Sequence, residues 1–258
     1  MTRVIKIGGR VQSDPRLPGL LAAAHRAAPG GVVVVHGGGD DVTALQRRLG
    51  HEPSFVGGRR ITSAAELDIV RMVLSGGANK RLVAALISAG VKAAGVSGED
   101  GGLLEARVAY GAPLGRVGEH VTADATLVRD LLAHGWLPVV SPIARDADSA
   151  TGDALNVNGD DAAAALAAAL AADELVFVAD VPGVVVREAI APSLATDAAA
   201  DLIRAGIAAG GMAAKLEAGF AALSKGVKRV RIANLDALDD PAQGTSLLPS
   251  LTAVPWRR

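Results

Sequence analysis

The sequence predicts an α/β fold built on a mainly parallel sheet, and three observations carry that prediction. Short β-branched apolar runs alternate with segments of helical spacing, the rhythm of βαβ units. One run, Val32-Val33-Val34-Val35, is apolar at every position, as in a strand buried on both faces. The first two runs each stop at a glycine turn: Val4-Ile5-Lys6-Ile7 at Gly8-Gly9, and the four valines at His36-Gly37-Gly38-Gly39.

In chain order, Leu17–Ala28 reads as a helix that stops before Pro29-Gly30-Gly31, and a second helix runs from Asp40 to about Leu49. The polar stretch 51–62 reads as a hairpin or a flap. Ser63–Gly90 reads as one or two helices, with Gly76-Gly77 as a candidate break, and Val91–Val96 as a strand. Residues 97–122 hold many glycines and short β-prone pieces (Leu103–Val108, Gly115–Val117), the pattern of an antiparallel insertion. Asp124–His134 is a helix closed by Gly135, and Pro138–Pro142 the next buried strand. Ala144–Asn158 reads as loop. The Ala-rich helix 161–172 leads to the strand Leu175–Val178. Helices follow at 197–205 and 212–225, then strands at 230–232 and 245–248. No repeat and no Pro/Ser-rich linker divides the chain, so any two-lobe division must run through a continuous sheet.

Composition narrows the function. The chain has 258 residues, enough for a large core in one domain or two lobes. Half the residues are hydrophobic but only 2% are aromatic, so Ala, Val, Leu and Ile build that core. A formal net charge of −1 gives no bulk positive surface for nucleic acid or membrane. The absence of cysteine excludes disulfides, thiolate metal sites and a cysteine nucleophile. The apolar run 162–172 is too short to span a bilayer, and the chain enters its first strand without a signal peptide. A cytoplasmic protein is expected.

The residues that carry chemistry cluster at the glycine turns. A lysine in an apolar strand is costly unless its ammonium meets an anion or water. Ligands of open α/β sheets bind beyond the carboxyl ends of the strands. Lys6 therefore points toward an anion site; the competing reading is an edge-strand lysine reaching solvent. Gly8 and Gly9 let backbone N–H groups approach the anion, and the helix after the second turn adds its positive end. Two such turns, with a lysine on one, favour a phosphate-handling cleft over simple tight turns. The pattern is neither a P-loop nor a dinucleotide fingerprint, and no kinase-type His-Arg-Asp or Asp-Phe-Gly set is present. Lys215 sits just inside a helix opened by Gly210-Gly211, where a cation is disfavoured unless an anion is near. Asp160 reads either as a helix N-cap or as a carboxylate holding lysines. Arg60 reads as a bidentate carboxylate clamp or as a solvated loop arginine. His36 reads as a packed strand terminus with no catalytic role.

Taken together and in order, these segments resemble the amino acid kinase family. The resemblance rests on Lys6-Ile7-Gly8-Gly9, His36-Gly37-Gly38-Gly39, Gly58-Arg59-Arg60-Ile61-Thr62, Asn79-Lys80, 97–102, 137–143, Asn156-Val157-Asn158-Gly159-Asp160, Asp180-Val181-Pro182-Gly183-Val184, Gly210-Gly211-Met212 through Lys215, and Gly244-Thr245. It spans nearly the whole chain, and the Gly-Arg-[IV]-Thr and Asn-x-Asn-x-Asp motifs are its most specific parts.

The resemblance implies a three-layer αβα sandwich with a mainly parallel central sheet. Residues 1–155 would form an N-terminal lobe for the acyl amino acid and dimerisation, and 156–258 a C-terminal lobe for ATP. It implies transfer of the γ-phosphoryl group of MgATP to the side-chain carboxylate of N-acetyl-L-glutamate, a step of arginine biosynthesis. Mg²⁺ would be carried by ATP, with no metal ligands on the protein. Lys6 and Lys215 would neutralise the transferring phosphoryl group, with Asp160 orienting both. Gly8, Gly9 and Gly38 would donate amides to phosphate. Gly38, Gly39, Arg60 and Asn156 would hold the acceptor, with Arg60 on its α-carboxylate. Asp180, Val181, Pro182, Gly183, Val184, Val185 and Ile207, Ala208, Ala209 would line the nucleotide pocket. The segments at Arg187-Glu188-Ala189 and Asn234–Gln243 are short, which leaves the nucleotide contacts there open. The chain starts at its first strand, so a homodimer without arginine feedback is expected. Two alternatives share the fold: a kinase for glutamate or aminoadipate on a carrier protein, and a non-catalytic anion-binding member, which should have lost a catalytic lysine.

Overall fold

A computed structural model describes residues 1–110 and 113–250. The chain runs β1 (Arg3–Ile7), α1 (Leu17–Ala27), β2 (Val32–His36), α2 (Gly39–Arg48) and a hairpin of β3 (Phe55–Val56) and β4 (Arg59–Arg60). Next come α3 (Ala64–Arg71) and α4 (Asn79–Ser88), joined by a π-helical segment, Met72–Ala78. β5 (Ala93–Ser97), β6 (Leu104–Val108), β7 (Val117–Ala123), α5 (Thr126–Ala133), β8 (Leu137–Ser141), β9 (Ile143–Asp146) and β10 (Ala154–Val157) follow. The rest comprises α6 (Gly159–Ala169), β11 (Glu174–Val178), β12 (Val185–Val186), β13 (Ala189–Ile190), β14 (Ser193–Ala195), α7 (Thr196–Arg204), α8 (Gly211–Ser224), β15 (Arg229–Ala233) and β16 (Thr245–Leu248).

The central sheet has the order β14-β16-β15-β11-β1-β2-β8-β5. Every neighbouring pair is parallel except β15 with β16. Side chains alternate across it. Val4, Val33, Val35, Leu175, Phe177, Val230 and Ile232 pack on one face with α6 and α8. Ile5, Ile7, Val32, Val34, Val176 and Val178 pack on the other with α1 and α4. This is the three-layer sandwich. The same alternation decides the site: Lys6 shares the face of Val4 and so points at α6 and α8.

Three expectations need correction. The stretch 144–158 is not loop: β9 and β10 close a small barrel with β6 and β7. The two strands are short, pair with each other antiparallel and are completed by β6 and β7 of the insertion, so no local alternation marks them. The insertion's second strand is Val117–Ala123 rather than Gly115–Val117. Gly76-Gly77 does not break the helix; it lies in the π-helical segment, where a wider turn absorbs the two glycines without ending the helix.

At the amino end of the sheet, far from the glycine turns, Glu174 is fully buried among arginines. Arg231, itself buried, donates from Nε to its Oε1 at 2.7 Å, and Arg3 Nε lies 2.7 Å from Oε2. The other guanidinium nitrogens of Arg231 donate to the carbonyls of Gln243 and Ala237, tying the segment before β16 to β15.

Candidate active site

Lys6, Asp160 and Lys215 meet beyond the carboxyl end of β1. Lys6 Nζ lies 2.7 Å from Asp160 Oδ1, and Lys215 Nζ lies 3.3 Å from Oδ2. Each comes from a different element: the fourth residue of β1, the first turn of α6 and the second turn of α8. Gly159 makes this possible, because a Cβ there would press on Lys6 Cε at 3.2 Å. Asp160 is not the N-cap of α6. Asn158 holds that position, its side chain accepting from the Asp160 N–H at 2.8 Å, which leaves the Asp160 carboxylate to the lysines. Burial alone would raise the Asp160 pKa; the two ammonium groups outweigh it and hold the carboxyl below its ordinary value. Burial pulls Lys215 down despite its carboxylate partner. The two ammonium groups stand at a cavity of about 450 Å³ lined by Lys6, Gly8, Gly9, Gly39, Asp180 and Lys215.

The backbone supplies further donors. Among the described residues, nothing accepts from the N–H groups of Gly9, Gly38 or Gly39. The three glycines lie close together: a Cβ on Gly9 would stand 3.8 Å from Gly38 N and 3.9 Å from Gly39 N. Gly8 departs from expectation. Its N–H donates to Val178 O at 2.9 Å and so extends the β1–β11 ladder; only the Gly9 amide of that pair is free. The positive ends of α2, α6 and α8 all open toward this region.

A second cavity, about 250 Å³, adjoins the first at Gly39, which lines both. Gly38, Phe55, Arg60, Leu74, Val117 and Asn156 are among its walls. Arg60 is buried, yet among the described residues it makes no ion pair. Its guanidinium donates to Gln46 Oε1, to Gly39 O at 2.8 Å and to Thr43 Oγ1 at 2.8 Å, all neutral, and lies over the Phe55 ring at 4.7 Å. Among the described residues, two of its five N–H groups have no acceptor. Burial depresses its pKa, with Glu66 and Asp40 acting against that from farther away. A buried guanidinium held by neutral groups is poised for a carboxylate. Asn156 Nδ2 donates to Thr62 Oγ1 at 3.2 Å, and Thr62 Oγ1 to Arg60 O at 2.9 Å. The two most specific motifs in the sequence are thus one hydrogen-bonded unit.

The remaining residues are less concentrated. Asp180 lines the first cavity, and Arg10 pairs with it at 2.9 Å. Sequence reasoning missed Arg10 and Asp40, which also lines that cavity; position beside the glycine turns was the only signal. Gly183 and Val184 are buried. The Val184 N–H is taken by Thr245 Oγ1 at 2.8 Å, and a Cβ on Gly183 would stand 2.8 Å from the same oxygen, which accounts for Gly244-Thr245. Val181, Pro182, Val185 and Ile207–Ala209 do not line the first cavity; of these Ala208 is buried, while Pro182, Val185, Ile207 and Ala209 are exposed. The short turn at Arg187-Glu188 is the tip of the β12–β13 hairpin, with both residues at positive φ. His36 is fully buried, and burial pushes it down to about 4, so the ring is neutral. Among the described residues, no group of three or more His, Cys, Asp or Glu side chains is placed to hold a metal. No helix among them is long and apolar enough to cross a membrane.

A sheet with three helix N-termini, two lysines and free glycine amides at one edge defines a phosphate-handling α/β protein. The model of the amino acid kinase family matches residues 1–234, and the chain belongs to that family. It is 47% identical over 239 residues to the acetylglutamate kinase of Chloroflexus aurantiacus, covering 92% of this chain and 93% of that one. It is 39% identical over 217 residues to the acetylglutamate kinase of Bacillus subtilis, covering 83% of each. Among solved structures, smu.665 of Streptococcus mutans superposes with a TM-score of 0.84 at 26% identity, covering 95% of this chain and 98% of that one.

Proposed function

We propose that the chain is an ATP-dependent kinase that phosphorylates the side-chain carboxylate of N-acetyl-L-glutamate, in arginine biosynthesis. The observation that carries this reading is the pair of adjoining cavities: one holds the Lys6–Asp160–Lys215 cluster, the other a buried arginine without a carboxylate. The relatives named acetylglutamate kinase support the same acceptor. In the reaction a carboxylate oxygen of the acceptor attacks the γ-phosphorus, the bond to the β-phosphate oxygen breaks, and ADP leaves with the electron pair. Lys6 and Lys215 offset the charge on the transferring group and on the leaving diphosphate, and Asp160 holds both lysines in place. Gly9, Gly38 and Gly39 offer amides to phosphate and acceptor oxygens. Arg60 and Asn156 orient the acceptor. Mg²⁺ would come with the nucleotide and screen its charge; the unpaired amides of Gly9, Gly38 and Gly39 and the ammonium groups of Lys6 and Lys215 fit that polyphosphate. Asp180–Val185 and Ile207–Ala209 belong to the nucleotide side, residues 1–155 to the acceptor lobe and 156–258 to the ATP lobe; 251–258 lie outside the described residues. A homodimer in the cytoplasm, where ATP and amino-acid precursors meet, completes the reading.

A coupled ADP-release assay tests it on the wild type and on Arg60→Lys. N-acetyl-L-glutamate should be turned over and free glutamate or aspartate should not. Lysine keeps the charge but loses the planar fork. The acceptor KM should rise at least tenfold, on the order of 1.4 kcal/mol or more, with the ATP KM nearly unchanged. Activity on free glutamate alone would reject the acceptor, and equal losses for both substrates would reject the role of Arg60.

A further inference from the structure

His36, Asn79 and Lys80 form a hydrogen-bonded chain that none of the roles above uses. His36 and Asn79 are both fully buried. Asn79 Nδ2 donates to Val139 O at 2.9 Å and to His36 Nε2 at 3.1 Å. Its Oδ1 accepts from Lys80 Nζ at 3.1 Å, and Lys80 Nζ also reaches Gly95 O at 3.0 Å. Turning the amide over would set its oxygen against the Val139 carbonyl and its NH₂ against an ammonium, so the donor end is fixed. His36 Nε2 must then accept. The ring proton sits on Nδ1 and is donated to Gly37 O at 2.8 Å. Gly95 makes room for this arrangement, because a Cβ there would fall 1.9 Å from Asn79 Oδ1.

The Gly37 carbonyl and the Gly38 N–H belong to one planar peptide unit and point in opposite directions when it is trans; no cis peptide occurs among the described residues. A donor that holds the carbonyl from one side aims the N–H to the other; Gly9 and Gly39, whose amides are also free among the described residues, lie beside it. We infer that Asn79 and His36 are positioning residues: Asn79 holds the accepting Nε2 and so fixes the ring of the Nδ1–H tautomer against Gly37 O, and His36 thereby aims the Gly38 amide into the reaction site. The identity of the anion met by that amide rests on the proposed kinase activity; the tautomer does not.

Long-range ¹H–¹⁵N NMR of the whole labelled chain reads the tautomer, with His36→Asn assigning the signal among five histidines. The wild type should show Nδ1–H with a hydrogen-bonded Nε2; Asn79→Leu, which cannot donate, should keep the proton on Nδ1 facing Gly37 O but move the Nε2 ¹⁵N signal to that of a free unprotonated nitrogen. Asn79→Leu should lose about tenfold or more in kcat, since a misaimed amide is a weakened transition-state donor, with the ATP KM nearly unchanged. His36→Asn places an amide donor near the Nδ1 position and should stay closer to wild type than His36→Gln, whose amide falls near Nε2. An Nε2–H wild type overturns the inference. So does a freed Nε2 in Asn79→Leu with unchanged kcat, or equal losses in His36→Asn and His36→Gln, which decide the matter if Asn79→Leu does not fold. A wild type inactive on N-acetyl-L-glutamate would fail the functional reading, while the tautomer would still stand or fall on its own spectrum.

Discussion

Lys6→Ala or Lys215→Ala should lower kcat by roughly 10²–10³-fold, about 2.7–4 kcal/mol, as when one preorganised electrostatic donor is lost. Both ammonium groups are held by Asp160, at 2.7 and 3.3 Å, before any substrate is present. They are set in place, so little reorganisation accompanies the developing charge. Their value then lies in the transition state, and the ATP KM should change far less than kcat. Folding should survive either change, because Asp160 keeps the other lysine and one desolvated cation is removed. The double variant should lose less than the product of the two singles, since the lysines act on one group through one carboxylate. Steady-state kinetics with circular dichroism as a folding control checks this. Near-normal kcat in either folded variant would contradict the roles assigned to the lysines.

Glu174→Gln should be the most destabilising single change among the buried charges. The substitution is nearly isosteric, so it creates no cavity, but it leaves Arg231 buried with no counter-charge at its Nε. Breaking one partner from a buried pair costs about 3–5 kcal/mol. For a chain of this size that is a fall in Tm of about 10 °C. Exchanging Glu174 and Arg231 together for apolar residues should recover much of the loss, because the desolvation penalty goes with the charges. The cluster lies at the amino end of the sheet, opposite the lysines. At temperatures where the variant is folded, kcat should therefore be close to wild type. A Tm within a degree or two of wild type would show that the pair contributes no net stability.

The parts of the fold legible in the sequence are those where local pattern and burial agree. Val32–Val35 is buried throughout and lies in the interior of the sheet, as an unbroken valine run requires. Lys6 stood out because a lysine conflicts with its apolar neighbours, and the conflict is resolved by Asp160 from a distant helix. Arg60 and Asn156 were legible as motifs; their connection through Thr62 was not, because it spans 94 residues. Strands β9 and β10 were missed because each is only four residues long and is held by pairing with the other and with the insertion rather than by its own periodicity. Asp160 as N-cap failed for a local reason: Asn158, two residues earlier, competes for the same cap and wins. The Gly8 amide failed likewise, since the sheet ladder continues one residue past the strand's apolar run. His36 drew no role because a histidine at a strand end is usually packing; its two ring contacts give it a direction only in three dimensions.

The central claim is that phosphoryl transfer ends on a carboxylate oxygen of the acceptor, and hydroxylamine trapping tests it most directly. With ATP, Mg²⁺ and N-acetyl-L-glutamate, the acyl phosphate should be intercepted as a hydroxamate in amounts matching the ADP released. Lys6→Ala should reduce both together. ADP release without hydroxamate, or hydroxamate formed from free glutamate and not from the acetylated acceptor, would contradict the account.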